Sequence, residues 1–221
     1  MPRILSLDSS TEACSCALSI DGAIIESFEI IPRGHTRHIL PMIQSLMQEQ
    51  GLAYKDLDAL ALGAGPGSFT GLRIAAGVAQ GIAFGADLPL VPVSTLASMA
   101  WQRRSESPVL LACLDARINE LYWAVYQADS DSLTLQGEEK LTRPEHVFND
   151  SASRLYAVGN GMAFLDAMPE QTRSLIDACE TDIYPRAGAI AELAAIYLQE
   201  GQSMDPADFS PTYLRNQVTQ N

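Results

Sequence analysis

The sequence predicts an α/β protein in which one βββαβα unit is used twice, and three observations carry that expectation. Two aliphatic runs, Ala13–Ile20 and Ala23–Ile30, flank Asp21-Gly22, the strongest short-range hairpin signal a sequence offers. Ile39, Met42, Ile43, Leu46 and Met47 then recur at helical spacing, and an apolar run of strand length and a second helical stretch follow them. After the polar segment at residues 103–108 the same order of elements starts again.

Residues 3–7 are short and aliphatic and run into Asp8-Ser9-Ser10-Thr11, a cluster of turn residues, so a first strand ends in a polar loop. The hairpin supplies strands two and three. The helix through Ile39 and Met47 stops before Gly51, with Pro41 in its first turn or kinking it. Residues 57–62, LDALAL, read as a buried strand feeding residues 63–85, GAGPGSFTGLRIAAGVAQGIAFG, a glycine-rich turn followed by a helix. Residues 88–93 add a strand, and Ser94 suits the N-cap of a helix over 95–103. In the second half, residues 109–114, the aromatic 121–127 and the weaker 132–138 read as strands and 144–149 as a short helix. Residues 154–158 form a further strand ending at Gly159-Asn160-Gly161, and 186–198 an alanine-rich helix before Gly201. A first domain over 1–103 and a second, reduced one over 108–221 follow, with the C-terminal helix (about 186–200) free to pack back on the first.

A hydrophobic content of 47% in 221 residues supports a real core. No apolar run reaches membrane-span length, and MPRILSLD lacks a basic region leading into an apolar one, so a cytoplasmic location is expected. With 27 acidic and 14 basic residues the formal charge is −13, a surface that repels a phosphate backbone. Work on a nucleic acid therefore needs a partner to supply most contacts. Cys14, Cys16, Cys113 and Cys179 form no CxxC pair and read as small buried hydrophobes.

The glycine-rich turn fits neither common phosphate loop. From Gly63 or Gly65 the third glycine of a dinucleotide fingerprint falls on Ser68 or Thr70, and there is no lysine for a Walker loop. Ser68 is not a nucleophile elbow either, since Pro66 and Thr70 stand where glycines are needed; helix capping suits it better. The helix is more telling. Gly77, Gly81 and Gly85 stack on one face, each at a cost of about 1 kcal/mol in helix propensity relative to alanine. With Ala75, Ala76, Ala79 and Ala83 beside them, they imply a close approach to this backbone, by the chain's own sheet or by a helix of a partner. Asp8, Ser9, Ser10 and Thr11 form a candidate phosphate or nucleotide loop, or a turn capped by its own hydroxyls. Arg73 sits in a helix first turn against the macrodipole preference and so invites an acid or a partner's phosphate, and Arg33, His35 and Arg37 make a local basic patch. His35, His38 and His146 suggest no third ligand near the first two, and no metal is expected.

A duplicated βββαβα unit with an acidic, hydroxyl-rich turn at its first hairpin has the actin-like (ASKHA, ribonuclease H-like) architecture. LDSSTEACSCAL, the glycine-rich stretch, VSTLASMA, LDARINELYWAVY and PTYLRN together resemble the TsaB (YeaZ) family over nearly the whole chain. The resemblance implies a paralogue of the tRNA threonylcarbamoyl transferase TsaD. It would act with TsaD and the ATPase TsaE in modifying the adenosine beside the anticodon of tRNAs reading codons that begin with A. The transferase's HxxxH metal pair is missing, since the polar residues of LDARINELYWAVY are Asp115, Arg117, Asn119 and Glu120. A non-catalytic scaffold without a metal or cofactor of its own is therefore expected, any nucleotide belonging at a subunit interface. The resemblance also implies a helical docking face with Met42, Ile43, Leu46 and Met47 beside Ile74, Gly77, Val78, Gly81 and Gly85. It further implies a homodimer when the chain is alone, contact with tRNA only through the complex, and no membrane. Arg33, Arg73 and Arg117 are candidate polar contacts. The alternatives are a phosphotransferase or ATPase using Asp8 and the two loops, or a peptidase using Ser68 on TsaD.

Overall fold

Strand β1 (Ile4–Asp8) is buried along its whole length, the setting that selects an unbroken aliphatic run. It pairs antiparallel with β2 (Ala13–Ile20), which turns back into β3 (Ala23–Ile30), and parallel with β4 (Ala59–Gly63), itself parallel to β5 (Leu90–Val93). The order is β3-β2-β1-β4-β5. At the hairpin, Asp21 and Gly22 take φ of 52° and 87°, the positive values that a two-residue primed turn demands. This is a computed structural model and describes residues 1–148 and 153–215.

On one face of this sheet lie α1 (His35–Glu49) and α2 (Phe69–Ala86), which cover Leu5, Leu7, Leu60 and Leu62. A third helix, α3 (Thr95–Trp101), follows β5. The chain forms two units, Met1–Ser98 with Pro185–Thr212, and Met99–Tyr184 with the chain from Tyr213 on, so the divide falls inside α3.

The second sheet is built from β6 (Val109–Arg117), β7 (Glu120–Ala128), β8 (Leu133–Thr142), β9 (Leu155–Val158) and β10 (Ile176–Glu180), in the order β10-β9-β6-β7-β8. Strand for strand this repeats the first sheet, with the same antiparallel and parallel senses. The reduction lies in the helices. Where α1 stands in the first unit, the second has one 3-10 turn, Pro144–His146; where α2 stands, it has a 3-10 segment, Asn160–Ala167, and the six-residue α4 (Glu170–Leu175). The short helix expected over 144–149 is thus only a 3-10 turn, and Asn149 lies outside the described residues. Strand β10 went unread because IDACE is a short edge strand with an exposed middle and no apolar alternation. Cys179 sits on it and is exposed, contrary to expectation, whereas Cys14, Cys16 and Cys113 are buried. Burial pushes the Cys14 and Cys16 thiols up to about 12, which leaves them inert. Arg103 holds Glu180, at the end of β10, through two 2.7 Å bonds; with the Tyr156 hydroxyl it brings that carboxyl down to about 2.

The last helix, α5 (Ala187–Gln199), belongs to the first unit and covers the other face of its sheet, packing on β1 and β2. Its start explains the polar residues inside the strands. The Ala187 N–H donates to Ser15 Oγ (3.0 Å), the Gly188 N–H to Glu26 Oε1 (2.9 Å), and Ser6 Oγ donates to the Ala187 carbonyl (2.7 Å). A carboxylate and a hydroxyl thereby satisfy donors that a helix start leaves open. Beyond α5, Met204 and Leu90 exchange two 2.9 Å backbone bonds, Gln80 donates to the carbonyls of Pro206 and Phe209, and the Thr212 N–H donates to Ala64. Residues 204–212 therefore run along β5 and α2.

Candidate docking face

Helix α2 begins at Ser68, an N-cap in extended conformation whose hydroxyl accepts the Gly71 N–H, the role its sequence position suggests. Leu72, Ala75, Ala76, Ala79 and Ala83 form the buried row on the sheet. Ile74, Val78 and Ile82 are half-buried and pack against the core that α1 shares. Gly77, Gly81 and Gly85 are exposed, and a Cβ built on any of them would meet nothing within 4 Å. The chain's own sheet does not approach the glycine row, because the alanine row faces it. Phe84, which sequence reasoning passed over, is 78% exposed on the same crest. Its spacing of three from Gly81 and seven from Gly77 was the available signal.

The α1 residues expected on this face lie elsewhere. Met42, Ile43, Leu46 and Met47 are at most 8% exposed and belong to the core beneath it. An i, i+3, i+4, i+7 stripe is first of all the stripe a helix turns to its own sheet. The outward side of α1 instead carries Leu40, Gln44, Ser45 and Gln48.

The Asp8–Thr11 loop is closed against the start of α2. Asp8 Oδ1 accepts both the Ser10 N–H and its hydroxyl, each at 2.9 Å. The Ser10 carbonyl accepts the Ser68 N–H (2.7 Å), Ser9 Oγ donates to the Gly71 carbonyl (2.8 Å), and Thr11 Oγ1 accepts the Ala13 N–H (3.2 Å). Ser9 and Ser10 are fully buried or nearly so, with their hydroxyls turned to the protein. The approach is tight enough that a Cβ on Gly71 would lie 1.9 Å from the Ser9 carbonyl oxygen, a backbone atom. Gly71→Ala is accordingly expected to destabilise the fold by about 2 kcal/mol, read as a lower urea midpoint at unchanged slope.

Asp8 Oδ2 and Thr95 Oγ1 are the buried side-chain polar atoms without a partner among the described residues. Oδ2 lies against Gly63, where a Cβ would come within 1.9 Å of it, and burial pushes the Asp8 carboxyl up to about 6. In the second unit, Gly159-Asn160-Gly161 serves packing. Cβ atoms on the two glycines would strike Cys113, and Asn160 Oδ1 accepts the Asp115 N–H at 2.8 Å.

The candidate cations are dispersed. Arg73 stacks on the Phe69 ring at 3.9 Å, beside the glycine row. Arg33 is exposed ahead of α1 at φ 65°. His35 is buried with Nε2 3.1 Å from the Ala13 carbonyl, so the expected basic patch reduces to Arg33 and Arg37. Arg117 lies at the β6–β7 turn. Among the described residues no group of three His, Cys, Asp or Glu side chains is placed to hold a metal.

Residues 28–220 match the family described as TsaD, tRNA N6-adenosine threonylcarbamoyltransferase. The chain is 40% identical to the tRNA threonylcarbamoyladenosine biosynthesis protein TsaB of Escherichia coli (strain K12), over 98% of this chain and 96% of that protein. The chain belongs to the TsaB family. The TsaB of Haemophilus influenzae is 37% identical over 98% of this chain and 94% of its own length. A solved TsaB-family structure, YeaZ from Pseudomonas aeruginosa, superposes with a TM-score of 0.91 at 36% identity, covering 97% of this chain and all of that one. The duplicated sheets are thus the TsaB version of the actin-like fold, and no helix among the described residues is long and apolar enough to cross a membrane.

Proposed function

We propose that this TsaB-family chain is a non-catalytic scaffold that docks on a TsaD-type transferase and, together with a TsaE-type ATPase, supports threonylcarbamoylation of the adenosine beside the anticodon in tRNAs reading codons that begin with A. It does so in the cytoplasm. The observation that carries the docking is the exposed glycine row of α2, three residues with open space above them. A row of glycines on a helix costs stability and gives a partner helix unusually close access to the backbone. Phe84 and the Arg73–Phe69 stack border the row and supply the apolar and cationic contacts that anchor interfaces. When the partner is missing, the same crest offers Phe84 and a glycine trough together, a self-complementary pair suited to a two-fold homodimer.

In this reading the chain brings no cofactor, and any nucleotide sits at a subunit interface. The Ser9 and Ser10 hydroxyls and the Ser10 N–H donate within the chain, and the Ser68 hydroxyl faces the start of α2, so neither the phosphotransferase nor the peptidase alternative gains a geometric argument from these groups. An acidic surface leaves tRNA contact to the other subunits. Size-exclusion chromatography of the chain mixed with the TsaD homologue of the same genome tests the reading. One co-eluting peak is expected, and separate elution at concentrations where each protein is folded rejects it.

A further inference from the structure

The glycines that open the crest of α2 also weaken the helix that carries them. Gly77, Gly81 and Gly85 bring no side chain to the core and each lowers helix propensity. The buried residues of the second half of α2 are Ala79 and Ala83. An alanine has a single methyl group to bury, so little apolar surface fixes that half against the strands. Helical segments with few buried contacts open first.

The missing hold comes from the far end of the chain. Residues 204–212 form a strap whose 3-10 turn, Pro206–Asp208, starts where Asp205 Oδ1 accepts the Ala207 N–H at 2.8 Å. Pro206 is buried, and Phe209, 8% exposed, joins the same core as Ala79 and Ala83. Gln80 Nε2 donates to the carbonyls of Pro206 (2.7 Å) and Phe209 (3.2 Å), which ties the middle of α2 to this turn. The strap is fastened at both ends as well. Met204 pairs with Leu90 on β5, and the Thr212 N–H donates to the Ala64 carbonyl (2.8 Å) just ahead of α2. There a Cβ on Gly65 would lie 2.7 Å from the Thr212 carbonyl oxygen.

We propose that Gln80 is a positioning residue for docking: by gripping the strap it holds the second half of α2, and with it the glycine row and Phe84, where the transferase partner meets them. The proposal rests on docking through α2. Gln80 stands three residues past Gly77 and one turn before Phe84, on the flank of the crest. Its amide has two N–H donors for the two carbonyls, which a carboxylate or a hydrocarbon of similar length lacks. Close helix packing is sensitive to small displacements, so a crest that shifts loses its fit.

The test uses the full chain with Gln80→Ala and with Gln80→Glu, which keeps the length and removes the donors. Glu26→Ala is the control, because Glu26 accepts from the start of α5 on the other face of the sheet and so weakens the same unit away from α2 and the strap. Hydrogen exchange is followed in the free chain, and affinity for the TsaD homologue of the same genome by calorimetry. In both Gln80 variants exchange over 77–86 and 204–212 is expected to be about tenfold faster, and affinity about fivefold or more weaker. The control is expected to exchange faster in α5 and to bind within about twofold of wild type. Unchanged exchange over 77–86 in both Gln80 variants, affinities within about twofold of wild type, or an equal loss in the control would each overturn the proposal. Failure of the wild type itself to bind rejects docking and this proposal with it, whereas wild-type binding with unaltered variant affinities rejects this proposal alone.

Discussion

Gly81→Leu is expected to make the isolated chain more stable and its association with the TsaD homologue far weaker. A leucine side chain at this site has open space within the chain, and exchanging a mid-helix glycine for a good helix former gains up to about 1 kcal/mol. In the proposed docking the same side chain fills the space into which the partner's backbone would come. Overpacking an interface that cannot relax costs about 2 kcal/mol or more, a loss of roughly thirtyfold in affinity. The opposite signs matter, because a variant that merely misfolds loses both. Thermal unfolding and co-elution on the same preparation check the pair of outcomes, and retained co-elution would place the interface away from the glycine row.

The second large effect is a pH dependence centred on Asp8. Its carboxyl is fully buried, has one unpartnered oxygen, and is raised from an ordinary 3.8 to about 6. A carboxyl raised by folding favours the native state when protonated. Its contribution is complete below the unfolded value near 4 and is lost as pH rises through about 6, by about 3 kcal/mol in all. Glu180 runs the other way, since its lowered carboxyl contributes above its ordinary 4.5 and loses that as pH falls toward about 2. Between pH 5 and 8 the Asp8 effect stands apart. Urea midpoints of the wild type should therefore rise as pH falls from 8 to 5, and Asp8→Asn should be flatter and more stable at pH 8. Parallel wild-type and variant profiles would show that Asp8 is not the group responsible.

Strand-by-strand order was legible because hairpin chemistry at Asp21-Gly22 and unbroken aliphatic runs act locally. β10 was not, since an edge strand with an exposed middle borrows its stability from β9 and carries no pattern of its own. The candidate face was half legible. The four-residue spacing of Gly77, Gly81 and Gly85 places them on one side of α2, where all three are exposed, but the spacing of Met42, Ile43, Leu46 and Met47 is shared by core stripes and interface stripes. Burial, which separates the two, is a property of the folded neighbours.

The first unit closes on residues that are synthesised long after its strands. Its sheet takes α5 on one face and residues 204–212 along β5, both from Pro185–Thr212, whereas its strands are complete by Val93. During translation at roughly 5–20 residues per second, some 90 intervening residues impose a wait of about 5–20 seconds. In that interval the β5 edge, Ser6 and Ser15 stand without their covers, a template for pairing with other chains. A nascent chain whose first sheet precedes residues 185–212 therefore presents an edge that the folded protein covers.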